Sequence, residues 1–345
     1  MKITQADIAK HLNLSRLTVS KALNGENGVS EQTRSRVLET AKELGYHLLE
    51  RKIANRSKTL HVANKQIALF LNLGLESDTY WAPVIRGMSA ILSAFGYHLN
   101  LCFLTVANGD YFDFPMNFQV DETDAIMQFG NFSKGQMDQL MNTGLPVVSI
   151  DKLFYEDVGL FCDTVMNTNR IPTAKLVKHL VDCGYQRIGY AKDGSSSQLT
   201  LHERWLGYLQ GMAEVGHEVN PRYLFSGNFP DIAREIEREK RLDNLQDFPD
   251  AIVCCNDMHA ISFLQYFWKC NIKVPEMIAL TGHDNISESE IADLTTINVN
   301  KEELGKCAAE LVLWRIENPK RPYRMVRIYD YGLVIRGSTK NLTRK

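Results

Sequence analysis

Two sets of side chains have types and spacing that could do chemistry. Near the N-terminus, Arg16, Leu17, Thr18, Ser20 and Lys21 fall on the outward side of a short amphipathic segment. Short polar groups with one Arg at a helix N-terminus suit the major groove of duplex DNA, where base edges offer donors and acceptors. Farther along, Gln128, Asp151, Asn256 and Asp284 each follow a strand-like run, Arg204 opens a helix-like run, and so do Tyr80 and Trp81. In open parallel sheets, ligands lie just beyond the carboxyl ends of the strands. Carboxylates accept hydrogen bonds from hydroxyls, Arg donates to hydroxyl oxygens, and aromatic rings stack on C–H faces. The second set therefore suits a sugar.

Three short helices must position the first set. Thr4 can cap the first, with Asp7 three residues on in a capping-box arrangement, and Ile8, Ala9 and Leu12 give one apolar face. Asn13 follows, a residue that tolerates the left-handed conformation of a tight turn. Ser15 can cap the second helix, with Val19, Ala22 and Leu23 inward and Gly25 as its stop. Ser30 can cap the third, with Val37, Leu38, Ala41 and Leu44 inward and Gly45 ending it. Two helices joined by about three residues and closed by a third make a helix-turn-helix unit. Arg34, Arg36, Lys42, Arg51, Lys52, Arg56 and Lys58 could meet phosphates. Residues 1–60 hold eleven Lys/Arg against six Asp/Glu, a net of +5, whereas the remainder holds 28 against 35, a net of −7. A basic head on an acidic body points to an anionic partner gripped by the head alone. A small solvated helical domain with a charged skin is the plain alternative.

Beyond Lys65, strand-like runs at Gln66–Asn72, His98–Leu104, Ala125–Gln128, Val147–Ile150, Arg187–Tyr190, Ala251–Cys254 and Ile278–Thr281 alternate with helical patterns. Those patterns span Ala82–Phe95, Ser133–Thr143, Asn167–Cys183, His202–Val215, Asp231–Leu242 and Asp257–Cys270. Such alternation implies parallel sheets with right-handed crossovers. The pattern occurs twice, over about 65–160 and 162–290, then a helix at Lys301–Glu317 and a strand at Met325–Ile328 follow. Two similar α/β lobes are expected. No run of about 18 uncharged apolar residues exists, and the first residues lack the apolar core of a signal peptide, so no membrane partner and a cytoplasmic location are expected. The seven cysteines are odd in number, lie in apolar stretches and form no C-x-x-C pair, which argues against disulfides and zinc. No metal and no cofactor is implied.

The run Thr4–Gly25, with Val29-Ser30-Glu31-Gln32-Thr33-Arg34 and Leu44-Gly45-Tyr46, closely resembles the headpiece of the LacI/GalR family of bacterial transcription regulators. The resemblance covers nearly the whole chain. It implies an all-α helix-turn-helix headpiece (1–47), a hinge or linker (48–64) and an α/β two-lobed effector domain of the periplasmic-binding-protein kind (65–345). The first lobe would comprise about 65–161 and 291–322, the second about 162–290 and 323–345. It implies a dimer that reads a near-palindromic operator and responds to a small-molecule effector, a mono- or disaccharide, in the cleft. The implied DNA-contacting residues are Thr4, Ser15, Arg16, Leu17, Thr18, Ser20, Lys21, Asn24, Arg34, Ile53 and Arg56. The implied effector residues are Tyr80, Trp81, Gln128, Asp151, Arg204, Asn256 and Asp284. His202–Tyr208 resembles the family segment whose Arg holds the effector. Cys255-Asn256-Asp257 resembles Ala-Asn-Asp, in which the Asn reaches the ligand and the Asp is structural. Gly282-His283-Asp284-Asn285 resembles the segment whose first Asp binds ligand. Asp124–Gly130 with Phe132-Ser133 resembles the galactoside-sensing subgroup. The hinge departs from the family pattern: Leu48 stands for Pro, Leu49 for Asn, Lys52 for Ala, Ile53 for Arg, and Asn55 for the Leu that wedges into the minor groove. A polar Asn is a poor wedge, which leaves that role to Ile53 or to a shifted register.

Two other functions compete. A sugar-handling enzyme could use Asp151 and Asp284 for acid–base work on a glycoside, but would leave the basic head unexplained. A solute-binding protein would need an export signal. A regulator controlled by a phosphoprotein partner would need a basic patch on the first lobe, where Arg86 stands alone on Ala82–Phe95. That helix, with Pro83, Val84, Met88, Ile91 and Leu92, is a candidate dimer face unless these residues pack inward. The chain end carries no heptads, which favours a dimer over a tetramer.

Overall fold

The computed structural model describes residues 5–24, 29–43, 65–72, 78–104, 111–151, 162–192, 194, 198–340 and 342. It divides into two compact units, Met1–Ala63 with Leu140–Gly144, and Asn64–Gln139 with Leu145–Lys345. The expected hinge and its candidates Ile53 and Arg56, together with Thr4, lie outside the described residues.

In the first unit, α1 (Gln5–Leu12), α2 (Arg16–Asn24) and α3 (Glu31–Glu43) enclose Ile8, Ala9, Val19, Ala22 and Val37, with Leu12, Leu14 and Val29 against them. Asn13 takes φ 54°, the left-handed turn expected of it. Ser15 Oγ accepts from Thr18 N at 3.0 Å and Ser30 Oγ from Thr33 N at 3.2 Å, so both serines cap the helices they precede.

The second unit holds two six-stranded sheets. The first contains β1 (Gln66–Asn72), β2 (His98–Phe103), β3 (Ala125–Gly130), β4 (Val147–Ile150) and β5 (Asp163–Asn167), flanked by α4 (Asp78–Ala94) and α5 (Lys134–Met141). The chain then runs through α6 (Arg170–Asp182), β6 (Ile188–Lys192), α7 (Leu199–Glu214), β7 (Leu224–Ser226), α8 (Phe229–Arg238), β8 (Ala251–Cys254), α9 (Asp257–Lys269), β9 (Ala279–Asp284), α10 (Ser287–Ile291) and β10 (Thr295–Val299). Helix α11 (Lys301–Glu317) and strands β11 (Met325–Ile328) and β12 (Tyr331–Val334) complete it. The first sheet has the order β11-β5-β4-β3-β1-β2 and is parallel throughout. The second has the order β12-β10-β9-β8-β6-β7, with only β12 antiparallel. Continuous apolar strands such as Ile67–Leu71 are buried because helices cover both faces of a parallel sheet.

The expected lobe boundaries shift. β5 pairs with β4 in the first sheet, β10 with β9 in the second, and β11 with β5 back in the first. The chain changes sheets after Asn167 and after Val299, a few residues past the crossings implied near 161–165 and 290–296, and again between Ile328 and Tyr331, at the end of the implied stretch 322–330. Asp163-Thr164-Val165-Met166-Asn167 and Thr295-Thr296-Ile297-Asn298-Val299 carry buried polar residues, so their strand character was hidden from an apolar-run reading. A second correction concerns α4. Val84, Met88 and Leu92 are fully buried beneath α11, which leaves Pro83 and Ile91 as the half-exposed remnant of the proposed dimer face.

Candidate functional site

In the first unit, the capped start of α2 presents an exposed Arg16 and a Leu17 that is 67% exposed. Thr18, Ser20, Lys21 and Arg34 are half-buried, and Ser15 is exposed. An apolar side chain held out on a helix N-terminus beside an Arg is poor surface chemistry and good groove chemistry. Ser15 Oγ is engaged as the cap and also meets Thr18 Oγ1 at 2.8 Å, so Arg16 and Leu17 are the freer pair. Asn24 ends α2, and its side chain lies outside the description.

In the second unit, Arg204 lies in the second turn of α7 and is 5% exposed. Gly207, one turn on, lets α7 press against α6: a Cβ there would stand 2.3 Å from the Arg170 carbonyl oxygen. That approach brings Arg204 Nε to Asn169 Oδ1, at 2.9 Å. Nη1 donates to the Cys255 carbonyl at 2.7 Å and to Asp284 Oδ2 at 3.4 Å, and Nη2 donates to Asp284 Oδ1 at 2.8 Å. His283 Nδ1 lies 3.1 Å from the same Oδ1. Burial pushes Asp284 upward, but the Arg204 charge and the His283 hydrogen bond outweigh it and hold the carboxyl well below the usual range. Burial, reinforced by Arg204, pushes His283 down to about 4, so the ring is neutral at pH 7 and donates from Nδ1 to the carboxylate.

Across from this pair, Tyr80 in the first turn of α4 donates to Asp151 Oδ2 at 2.5 Å, and Asp151 Oδ1 accepts from Asn167 N at 3.5 Å. Burial and then the charges of Asp151 and Asp284 push the Tyr80 phenol far up, so it stays protonated. Lys301 Nζ lies 6.0 Å from the Tyr80 ring centroid and donates to the carbonyl of Asn285, the residue after Asp284, which sets the two groups side by side. Asp151, Asp284 and Asn285 have φ of 62°, 110° and 50°. Such values cost about 1–3 kcal/mol each for side-chain-bearing residues and collect at functional sites.

The structure thus brings Tyr80, Asp151, Arg204 and Asp284 together. The other three lie beside that group or make bonds of their own. Trp81 is 2% exposed and packs edge-on against Phe129 and against Tyr80 itself, at 5.3 Å between the latter ring centroids. Gln128 is fully buried, with Nε2 donating to the Gly130 carbonyl and Oε1 accepting from Ser149. Asn256 caps α9 through His259 N at 2.8 Å. Asp257 is structural: it accepts from Ile286 N at 2.9 Å and Thr296 Oγ1 at 2.5 Å, under Gly282, where a Cβ would stand 2.1 Å from its Oδ1. Burial and the neighbouring Asp284 push Asp257 up to about 7.

Sequence reasoning missed Asn169, His283 and Lys301, whose Nζ donates to the Asn285 carbonyl at 3.1 Å. It also missed the polar links between lobes. Arg327 on β11 meets Glu203 on α7 at 2.7 Å, and Thr79 on α4 donates to Glu288 on α10 at 2.7 Å. Gln198 also bonds to Asn131. Among the described residues there is no His/Cys/Asp/Glu group that could hold a metal and no helix long and apolar enough to cross a membrane.

Known proteins match both units. Residues 4–48 match the bacterial regulatory proteins of the lacI family, and residues 177–339 match the periplasmic binding protein-like domain. The HTH-type transcriptional repressor PurR of Photobacterium profundum is 28% identical over 98% of this chain and 99% of its own length. The ribose operon repressor of Haemophilus influenzae is 26% identical over 98% and 99%. A CelR–cellobiose complex superposes at TM-score 0.67 with 21% identity, covering 98% of this chain and all of that one. A lac repressor dimer bound to operator does so at 0.61 with 16% identity, covering 99% and 100%, and these two likenesses speak for the fold. The chain thus carries a lacI-family headpiece and a periplasmic binding protein-like domain, and over nearly its whole length it is similar to HTH-type transcriptional repressors.

Proposed function

We propose that this chain is an effector-controlled transcriptional repressor that binds a near-palindromic operator as a homodimer and senses a small neutral sugar. The observation that carries the reading is the exposed Arg16–Leu17 pair on a capped helix, in the same chain as the buried Tyr80–Asp151 and Arg204–Asp284 groups. Arg16 and Leu17 select bases; Thr18, Ser20, Lys21 and Arg34 support phosphate contacts, and Thr4, Asn24, Ile53 and Arg56 complete the proposed set. Two dimer-related α2 helices would enter successive major grooves about 34–36 Å apart. Asp151 and Asp284 accept hydroxyl hydrogen bonds, Arg204 donates, and Asn256 remains a candidate contact through the part of its carboxamide beyond the cap. Effector binding shifts the population between DNA-competent and DNA-incompetent states. The ribose operon repressor and the cellobiose-bound CelR support a sugar, and the galactoside resemblance narrows the first probes.

The enzyme reading fares worse. A glycosidase needs one carboxyl held up as a general acid. Asp284 is held down by Arg204, and the Asp151 carboxyl accepts from the Tyr80 hydroxyl and the Asn167 N–H rather than facing a leaving group as a donor.

Titrating the protein onto a palindromic fragment, selected by the protein itself from random DNA, tests the first half. The logarithm of affinity should fall linearly with the logarithm of salt, and a flat line would contradict phosphate-driven binding. Thermal-shift titration with D-galactose, D-ribose and cellobiose tests the second half.

A further inference from the structure

Buried polar atoms without a hydrogen-bond partner gather around the Arg204–Asp284 and Tyr80–Asp151 groups. On the second sheet these are the Tyr190 hydroxyl, within electrostatic reach of Arg204, and His283 Nε2. On the first sheet, at the end of β5 nearest Asp151, Asn167 is 2% exposed and has both its Nδ2 and its Oδ1 unpartnered. Asn167 is the last residue of β5, paired in register with Ile328 of β11, and its backbone N–H points to Asp151 Oδ1. Its own carbonyl accepts from Asn169, the residue that holds Arg204 Nε. One residue thus touches both halves of the site through its backbone while its side chain is left uncommitted.

A buried carboxamide with neither group satisfied is destabilising, because it has lost water and gained nothing. A leucine of nearly the same size would fill the position without that penalty. We infer that Asn167 is a further effector-recognition residue, which reads a pair of neighbouring hydroxyls on a neutral polyol. This rests on the sugar-sensing reading above. A carboxamide offers one donor and one acceptor side by side. Adjacent hydroxyls can answer with one acceptor and one donor, whereas the carboxylates Asp151 and Asp284 can only accept. Asn167 therefore supplies the first lobe with a donor suited to a hydroxyl oxygen.

The test compares the full chain with Asn167→Leu and Asn167→Ala. Without sugar, Asn167→Leu should melt at a higher temperature than the parent. The sugar giving the largest shift among D-galactose, D-ribose and cellobiose should bind both variants at least tenfold more weakly by calorimetry. The dideoxy analogue lacking both hydroxyls read by Asn167 should bind the parent and Asn167→Ala equally. A lower midpoint or failure to fold for Asn167→Leu, or unchanged sugar affinity for Asn167→Ala, would overturn the inference. If no sugar shifts the parent chain, the sugar reading fails, and the ligand-free midpoints still decide whether Asn167 is kept for stability.

Discussion

The two units keep their functional side chains in opposite ways. The headpiece pushes Arg16 and Leu17 outward from a small core of Ile8, Val19 and Val37, held by two serine caps. The body pulls Arg204, Asp284, Asp151 and Tyr80 inward, each below a tenth exposed or salt-bridged with little exposure. A surface that reads DNA needs side chains that lose water only when the partner arrives. A site that grips a small ligand needs preorganised groups whose geometry is already fixed. Substitutions in the body should therefore act on stability and sensing together, whereas those in the headpiece should act on affinity with little effect on folding.

The largest effect is expected for Arg204→Ala. It leaves Asp284 buried without its counter-charge, and breaking a buried pair this way costs about 3–5 kcal/mol. Chemical denaturation of the body should report that loss, and a change below about 1 kcal/mol would place Arg204 outside the core of the site.

Next comes pH. Asp257 sits at about 7 in the folded chain against 3.8 ordinarily, so between about pH 4 and 7 the folded chain keeps a proton that the unfolded chain has released, and stability falls as pH rises. His283 sits at about 4 against 6.5, so between about pH 4 and 6.5 the unfolded chain holds a proton that the folded chain refuses, and stability rises with pH. The contribution is about 4 kcal/mol for Asp257 and about 3 kcal/mol for His283 over their windows, and the two oppose. The parent should be nearly flat from about pH 4 to 6.5, Asp257→Asn should rise across that range, and His283→Asn should fall. Below that range the depressed Asp284 adds a further loss as its carboxylate is protonated. Denaturation midpoints against pH check all three slopes.

Smaller effects belong to the headpiece. Arg16→Ala should weaken operator binding by about 1–3 kcal/mol and relax base preference, with unchanged melting of the body, as read by a mobility-shift titration on matched and mismatched sites. Ser15→Ala should cost about 1 kcal/mol, confined to α2, and hydrogen exchange at the Val19 and Ala22 amides should show it.

Local signals were the legible ones. Ser15, Ser30 and Asn13 act through neighbours two or three residues away, so type and spacing sufficed. Arg204 and Asp284 were legible from strand ends and from family resemblance. Gln128 misled because β3 runs two residues past it to Gly130, which makes it an interior strand position rather than a rim. Asn169 was hidden because its role depends on which helix packs against which, and that follows from Gly207 and from a strand, β5, whose residues are too polar to look like one.

The most direct test is the operator affinity of Arg204→Lys without sugar, since lysine keeps the charge but cannot reproduce the two-pronged grip on Asp284. Affinity within about twofold of the parent is expected, because DNA reading belongs to the headpiece alone. A loss as deep as that of Arg16→Ala would contradict this separation and return Arg204 to the DNA-binding apparatus.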